Sequence, residues 1–174
     1  MVGGEEDLTF STILGSCISA CVRDVEAQVG GMNHFLLAEP RGTAADRYGA
    51  SARYGAFAME QLINKVLTRG TGRKSNLEIK VFGGGLISTA LTDIGAKNIE
   101  FVRGFLRDEG YAIAGEDVGG AFARRVMFKP HSGRAFVKRL DAVTGADVAR
   151  DELTIVSRRV APKPAAPVAE IELF

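Results

Sequence analysis

The sequence predicts a single domain of the α/β (α+β) class, in which mixed β-sheet layers are covered by two long helices. Three observations support this. Short apolar segments with the period of a strand recur along the chain, two longer segments have apolar residues at helical spacing, and turn residues separate them. At 174 residues, the chain is long enough for one well-buried core and short for two domains.

The composition excludes several classes of function. Hydrophobic residues make up 46% and charged residues 25% of the chain, and the net charge is +1. This balance gives no long-range field for nucleic acid or an anionic membrane, and no apolar run is long enough to insert into a bilayer. The acidic N-terminus lacks the pattern of a secretion signal, and there are only two cysteines. We therefore expect a cytoplasmic protein with a short or missing first element.

The first third of the chain is predicted to form three strands. Ile18, Ala20 and Val22 alternate with more polar neighbours, which is the period of a strand. A polar stretch separates this strand from the next, which begins near two glycines. The predicted strands cover residues 8–10, 18–22 and 29–37.

Two long helices are predicted from apolar residues at helical spacing. The first covers residues 54–67 and is stopped by Gly70, and the second covers about residues 95–108 and is stopped by Gly110. Further strands are predicted over residues 77–82 and 111–114, and a hairpin over residues 122–129 and 134–140.

Three glycines, residues 83–85, follow the strand at residues 77–82. The Lys-Ser/Thr pair of a phosphate-binding loop is absent, and so is the spacing of a dinucleotide-binding loop. The glycines therefore predict a tight turn or a close approach of the backbone to an active site.

The C-terminal residues differ in composition from the rest. Prolines among alanines predict an extended tail over residues 158–174, so that the domain covers residues 1–157. The acidic and apolar tip at 170–174 is interpreted either as a frayed terminus or as a segment that docks on a partner.

Cys17 and His34 are the candidate reactive residues. Cys17 follows Gly15 and Ser16, a pair that permits a tight turn and can aim peptide N–H groups at an anion. His34 ends the next apolar segment. If the two segments pair as strands, a thiol and an imidazole can meet, which permits nucleophilic attack on an amide or ester carbonyl. The spacing of the two residues also permits a purely structural role for both.

Other uses of these residues are less well supported. Cys17 and Cys21 would lie roughly 13 Å apart in a strand, too far for a disulfide. Only His34 and His131 could supply imidazole ligands, and no metal-type cysteine spacing is present, so neither a metal nor another cofactor is expected. Ser11 and Thr12, just upstream of Cys17, could orient an imidazole or bind a substrate amide.

The chain resembles the CheD family of bacterial chemoreceptor glutamine deamidases. The resemblance is carried by segments in family order: TILGSC (12–17), GGMNH (30–34), RYG (53–55) with AME (58–60), KVFGG (80–84), IG (94–95) with Asn98, DVGG (117–120) and SGR (132–134). Together they extend over most of the chain.

The resemblance implies an α/β sandwich and specific roles for the candidate residues. Cys17 is the implied nucleophile, His34 the base and Thr12 the third catalytic residue, with Ser11 as the alternative at that position. Substrate or oxyanion contacts are then expected from Ser11, Gly15, Ser16 and Asn33.

The implied substrate is a glutamine on the cytoplasmic helices of a chemoreceptor, and the implied partner is a CheC-type phosphatase. The short N-terminus departs from the family, which usually has another strand there. Two other functions stay open: a non-catalytic interaction module, suggested by the basic stretch at 41–53, and a cysteine peptidase or transglutaminase.

Overall fold

The computed structural model describes residues 1–37, 50–88 and 92–160. Within these residues, four strands precede the first helix, one strand separates the first two helices, and three strands precede the last helix. The described elements are β1 (Val2–Gly3), β2 (Phe10–Leu14), β3 (Ile18–Asp24), β4 (Val29–Met32), α1 (Ala50–Arg69), β5 (Leu77–Gly83), α2 (Thr92–Asp108), β6 (Ile113–Val118), β7 (Arg124–Lys129), β8 (Arg134–Arg139) and α3 (Ala142–Val160).

The strands form two sheets. A five-stranded sheet has the order β1-β4-β3-β5-β6, and a three-stranded sheet has the order β2-β7-β8. The pairing of β5 with β6 is parallel, with α2 as the connection between them, and the other pairings are antiparallel. Because β2 and β3 belong to different sheets, the short loop between them passes from one sheet to the other.

The central strand of the five-stranded sheet, β3, is buried on both faces. Ile18, Ala20 and Val22 of β3 pack with α1 and α2 in one hydrophobic cluster. Cys21, on the opposite face of the same strand, packs in a second cluster with residues of β2 and β7, such as Phe10 and Val126. Burial on both faces explains why β3 is a nearly continuous run of buried residues.

The predicted mixed sheets with covering helices are confirmed, and so are both predicted helices, each of which begins earlier than expected. The number of helices was wrong, because α3 forms a third long helix. Two of its signals were overlooked. One is Asp141, which precedes α3 and accepts a hydrogen bond from the Thr144 N–H at 2.9 Å, as an N-terminal cap does. The other is the recurrence of apolar residues along one face of the helix.

Other boundaries also changed. The strand predicted over 29–37 ends at Met32, after which the chain continues beside β3 with an isolated bridge between Ile18 and Phe35. Helix α3 extends to Val160, past the predicted boundary at 157, and residues 161–174 of the predicted tail lie outside the described residues. Across the described residues, no helix combines the length and the apolarity that crossing a bilayer requires.

Candidate active site

The loop of residues 15–17 joins β2 to β3 and carries Cys17. Its three carbonyl groups are all bonded within the protein. Gly15 O accepts from the Gly85 N–H at 2.6 Å and Cys17 O from the Gly84 N–H at 2.7 Å. Ser16 O accepts from the Asn98 amide at 2.7 Å. The loop is thus fixed through its carbonyl groups. Its N–H groups point away from these contacts.

The glycine that ends β5 is required by this contact. Gly83 has a φ of 114°, and a Cβ atom there would lie 2.1 Å from the carbonyl oxygen of Cys17. No side chain fits into that space, and the backbone conformation itself disfavours residues other than glycine. The predicted close approach of the glycines to the candidate site is therefore observed.

The pairing of β3 with β4 places His34 on the same sheet face as Cys17. Cys21 pairs with Met32, and the same register continues to the bridge of Ile18 with Phe35. His34 is then opposite Ser19 and diagonal to Cys17. Diagonal neighbours on one face are close enough for longer side chains to reach each other.

Thr12 reaches His34 from the other sheet. Its hydroxyl lies 2.9 Å from Nδ1 of His34, so this bond can fix the orientation of the imidazole and leave Nε2 available. Ser11 is exposed, whereas its neighbours Phe10 and Thr12 turn towards the interior. Because alternate residues of a strand face opposite sides, only one of the two candidate hydroxyls can meet the ring, and it is that of Thr12.

A carboxylate from α3 lies against the N–H side of the loop. Glu152 Oε1 accepts from the N–H groups of Gly15 at 3.1 Å and Cys17 at 3.2 Å. Oε2 accepts from the Ser16 N–H at 2.9 Å and its hydroxyl at 2.6 Å. The three N–H groups thus form an anion-binding pocket, which was predicted from Gly15 and Ser16, but the anion comes from the protein itself.

The charge state of His34 depends on two opposing effects. Desolvation lowers the pKa of its imidazole below the ordinary value, and the negative charge of Glu152 partly offsets this by raising the pKa. The first effect is the larger, so the ring is neutral near pH 7 and can accept a proton.

Asn33 and Cys21 occupy supporting positions. The Asn33 side chain accepts from the Ala20 N–H at 2.8 Å and donates to the Ala58 carbonyl at 3.2 Å, which ties the segment before His34 to β3 and α1. These bonds give Asn33 a structural role, and its predicted contact with substrate stays a prediction. Cys21 is 1% exposed, and burial raises the pKa of its thiol strongly, so it is a core residue.

Comparison with known proteins identifies the family. A family model described as "CheD chemotactic sensory transduction" matches residues 36–139. A protein of Methylobacillus flagellatus named "Probable chemoreceptor glutamine deamidase CheD" is 44% identical over 174 residues, which cover 97% of this chain and 83% of that protein. A protein of the same name from Caulobacter vibrioides is 46% identical over 175 residues, which cover 99% of this chain and 88% of that protein. The chain belongs to the CheD family.

The matches differ in how they cover the site of this CheD-family chain. The family model begins after His34 and ends before α3. The two relatives, by contrast, cover nearly the whole chain, including the candidate site. Glu152 is the residue of the site that the sequence analysis missed. A glutamate on the inner face of an amphipathic helix, flanked by Ala149 and Val156, was its only signal.

Proposed function

We propose that this chain is a protein-glutamine deamidase that converts glutamines of chemoreceptor cytoplasmic helices to glutamate, with Cys17 as nucleophile and His34 as base. The observation that carries the proposal is the Thr12–His34 bond beside the Cys17 loop, within a chain whose relatives are named chemoreceptor glutamine deamidases. The proposed location is the cytoplasm. A CheC-type phosphatase is the proposed partner, by family resemblance.

The proposed reaction has two stages. His34 accepts the thiol proton, and the Cys17 sulfur attacks the carboxamide carbon of the glutamine. The oxyanion is stabilised by peptide N–H groups of the loop, and the imidazolium protonates the departing ammonia. Water, deprotonated by His34, then attacks the thioester, the carbon–sulfur bond breaks, and the product is a glutamate side chain.

The layout of the site supports these roles. The carbonyl groups of residues 15–17 are held by Gly84, Gly85 and Asn98, so the loop is rigid on the side away from the N–H groups. Donors that are fixed in advance stabilise a developing negative charge without reorganisation. Thr12 fixes the ring of His34 as the third member of a triad does.

The test incubates the full chain with cytoplasmic fragments of chemoreceptors. Ammonia release and conversion of specific glutamines to glutamate, seen by peptide mass spectrometry, are the expected results. Cleavage of the peptide chain would indicate a peptidase, and incorporation of an added amine a transglutaminase. Binding of the fragments with no chemical change would instead favour an interaction module.

Replacing Thr12 by valine is expected to lower kcat roughly 3- to 10-fold, because a neutral hydrogen bond is worth about 1 kcal/mol. The shape of the side chain is kept, so folding should be little affected. Ser11→Ala is the matched control, since this hydroxyl is exposed on the other face of β2. A larger loss in Ser11→Ala than in Thr12→Val would contradict the assignment.

The pKa of His34 is expected to fall further when the charge of Glu152 is removed, since that charge raises it. The experiment compares NMR titrations of the His34 ring with and without Glu152→Gln, both in a Cys17→Ser background, which removes the coupled thiol. Asp151→Asn, a charge change on the exposed side of α3, is the control. An unchanged or higher pKa in Glu152→Gln would disprove the electrostatic link.

A further inference from the structure

The anion-binding pocket beside Cys17 is already occupied by the protein's own carboxylate. Glu152 accepts from all three N–H groups of residues 15–17 and from the Ser16 hydroxyl, and its side chain is almost fully buried. Among the ion pairs of the described residues, none includes Glu152. Peptide dipoles and a hydroxyl therefore hold this buried charge, as they would hold an oxyanion.

The occupant has the same chemistry as the product of the proposed reaction. Deamidation of a glutamine leaves a glutamate side chain, and Glu152 presents that side chain in the pocket proposed for the oxyanion. While Glu152 is there, the N–H groups cannot stabilise a tetrahedral intermediate.

The helix that carries Glu152 lies against the site. Ala149 and Val156 lie three residues before and four residues after Glu152, on the same helix face. Ala149 is buried, and Val156 packs on the hydrophobic cluster that contains Cys17. Cys17 is only 3% exposed in this arrangement. A protein substrate therefore reaches the thiol only after some of the residues around it move, and Glu152 and its helix are the neighbours that the experiments below address.

We propose that α3 is an autoinhibitory element, in which Glu152 occupies the place of the substrate's side chain and has to be displaced by a receptor glutamine. The inference rests on the proposed function, because it takes residues 15–17 as the site of the reacting carboxamide. The chain then alternates between a closed state, with Glu152 bound, and an open state that accepts substrate.

The first experiment turns the internal occupant into a substrate. In Glu152→Gln, the carboxamide oxygen can accept from the N–H groups of Gly15 and Cys17 as Oε1 does, while the amide nitrogen can donate to the Ser16 hydroxyl. Cys17 then attacks the carbonyl carbon, ammonia leaves, and water hydrolyses the thioester to restore the acid. The expected result is spontaneous conversion of the amide at position 152, seen by peptide mass spectrometry of the full chain without any receptor. The double variant Glu152→Gln with Cys17→Ser should keep its amide.

The second experiment measures access to the thiol. In Glu152→Ala, alkylation of Cys17 by iodoacetamide is expected to be at least roughly tenfold faster, because an open state in such an equilibrium is populated at about 10% or less. The apparent KM for receptor fragments should fall as well, since no internal group competes. Asp151→Ala, on the exposed side of the same helix, is the control. Thermal unfolding of each variant checks that the fold persists.

The outcomes separate this inference from the proposed function. Autoinhibition is wrong, and the function stands, if wild type deamidates receptors but both tests of the inference fail. Those failures are an amide that persists at position 152 of Glu152→Gln and, in Glu152→Ala, neither faster alkylation of Cys17 nor a lower KM. If alkylation becomes faster in Glu152→Ala but neither receptors nor the amide at 152 react, Glu152 covers a site with another function. A loss of receptor deamidation in Glu152→Ala without faster alkylation would make Glu152 a positioning residue and overturn the inference.

Discussion

Replacing Cys17 by serine is expected to lower deamidation of receptor fragments by at least about 1,000-fold, as loss of the nucleophile does in hydrolases of this chemistry. A serine hydroxyl is far less nucleophilic than a thiolate. The base proposed for this site is His34, so the serine variant gains no stronger base to activate its hydroxyl. The measurement is the rate of glutamine-to-glutamate conversion at saturating fragment concentration, with binding of the fragments followed separately.

The chain offers a matched control for this change. Cys21 lies on β3, the strand that follows the Cys17 loop, is buried in the hydrophobic cluster that also contains Cys17, and takes no part in the proposed reaction. Cys21→Ala is therefore expected to lower the free energy of unfolding while the folded protein keeps its activity. Equal rates for wild type and Cys17→Ser would eliminate Cys17 as the nucleophile, whatever the behaviour of Cys21→Ala.

Gly83→Ala is expected to have the second largest effect, lowering both the free energy of unfolding, by at least about 2 kcal/mol, and the activity. Part of the cost is conformational, because a φ of 114° is unfavourable for alanine. The rest is steric, since the new Cβ would meet the Cys17 carbonyl oxygen at 2.1 Å. The loop can avoid the contact only by moving, and Cys17 moves with it.

A second glycine separates these two contributions. Gly72 also has a positive φ, of 73°, but a Cβ there has no atom within 4 Å. Gly72→Ala should therefore show the conformational cost without loss of activity in the folded protein. Chemical denaturation gives the stability of each variant, and kcat gives the effect on the site. If Gly83→Ala keeps full kcat, the approach of this glycine does not set the position of the nucleophile.

Autoinhibition by α3 would connect the site to regulation. A protein that modifies receptors has to be prevented from reacting elsewhere, and an internal carboxylate in the oxyanion pocket also protects a reactive thiol from oxidants. Glu152 binds through four hydrogen bonds on one carboxylate, so its displacement leaves donors that a substrate has to satisfy. The oxygen of a substrate carboxamide can accept some of these bonds, and the oxyanion that forms on attack accepts more strongly.

The sequence by itself determined the elements whose signals are local. The alternation of Ile18, Ala20 and Val22 predicted β3, and the apolar spacing before Gly70 predicted α1. For the segments around Cys17 and His34, the sequence supplied only the condition that they pair as strands, and the observed pairing of β3 with β4 meets it. For the glycines at the end of β5, the missing phosphate-loop residues left a tight turn or a close approach of the backbone, and the contact of Gly83 with the Cys17 loop shows the close approach.

Only the tertiary structure decided what depends on contacts between distant segments. Thr12 and Ser11 are equivalent in sequence, and the pleat of β2 relative to the facing sheet brings the Thr12 hydroxyl to His34. Glu152 is 135 residues from Cys17 along the chain, and no local pattern relates them. The Cys17 loop was predicted to bind an anion, because Gly15 and Ser16 permit a tight turn that can aim its N–H groups at one. That the chain itself supplies the anion depends on the docking of α3, which no local signal encodes.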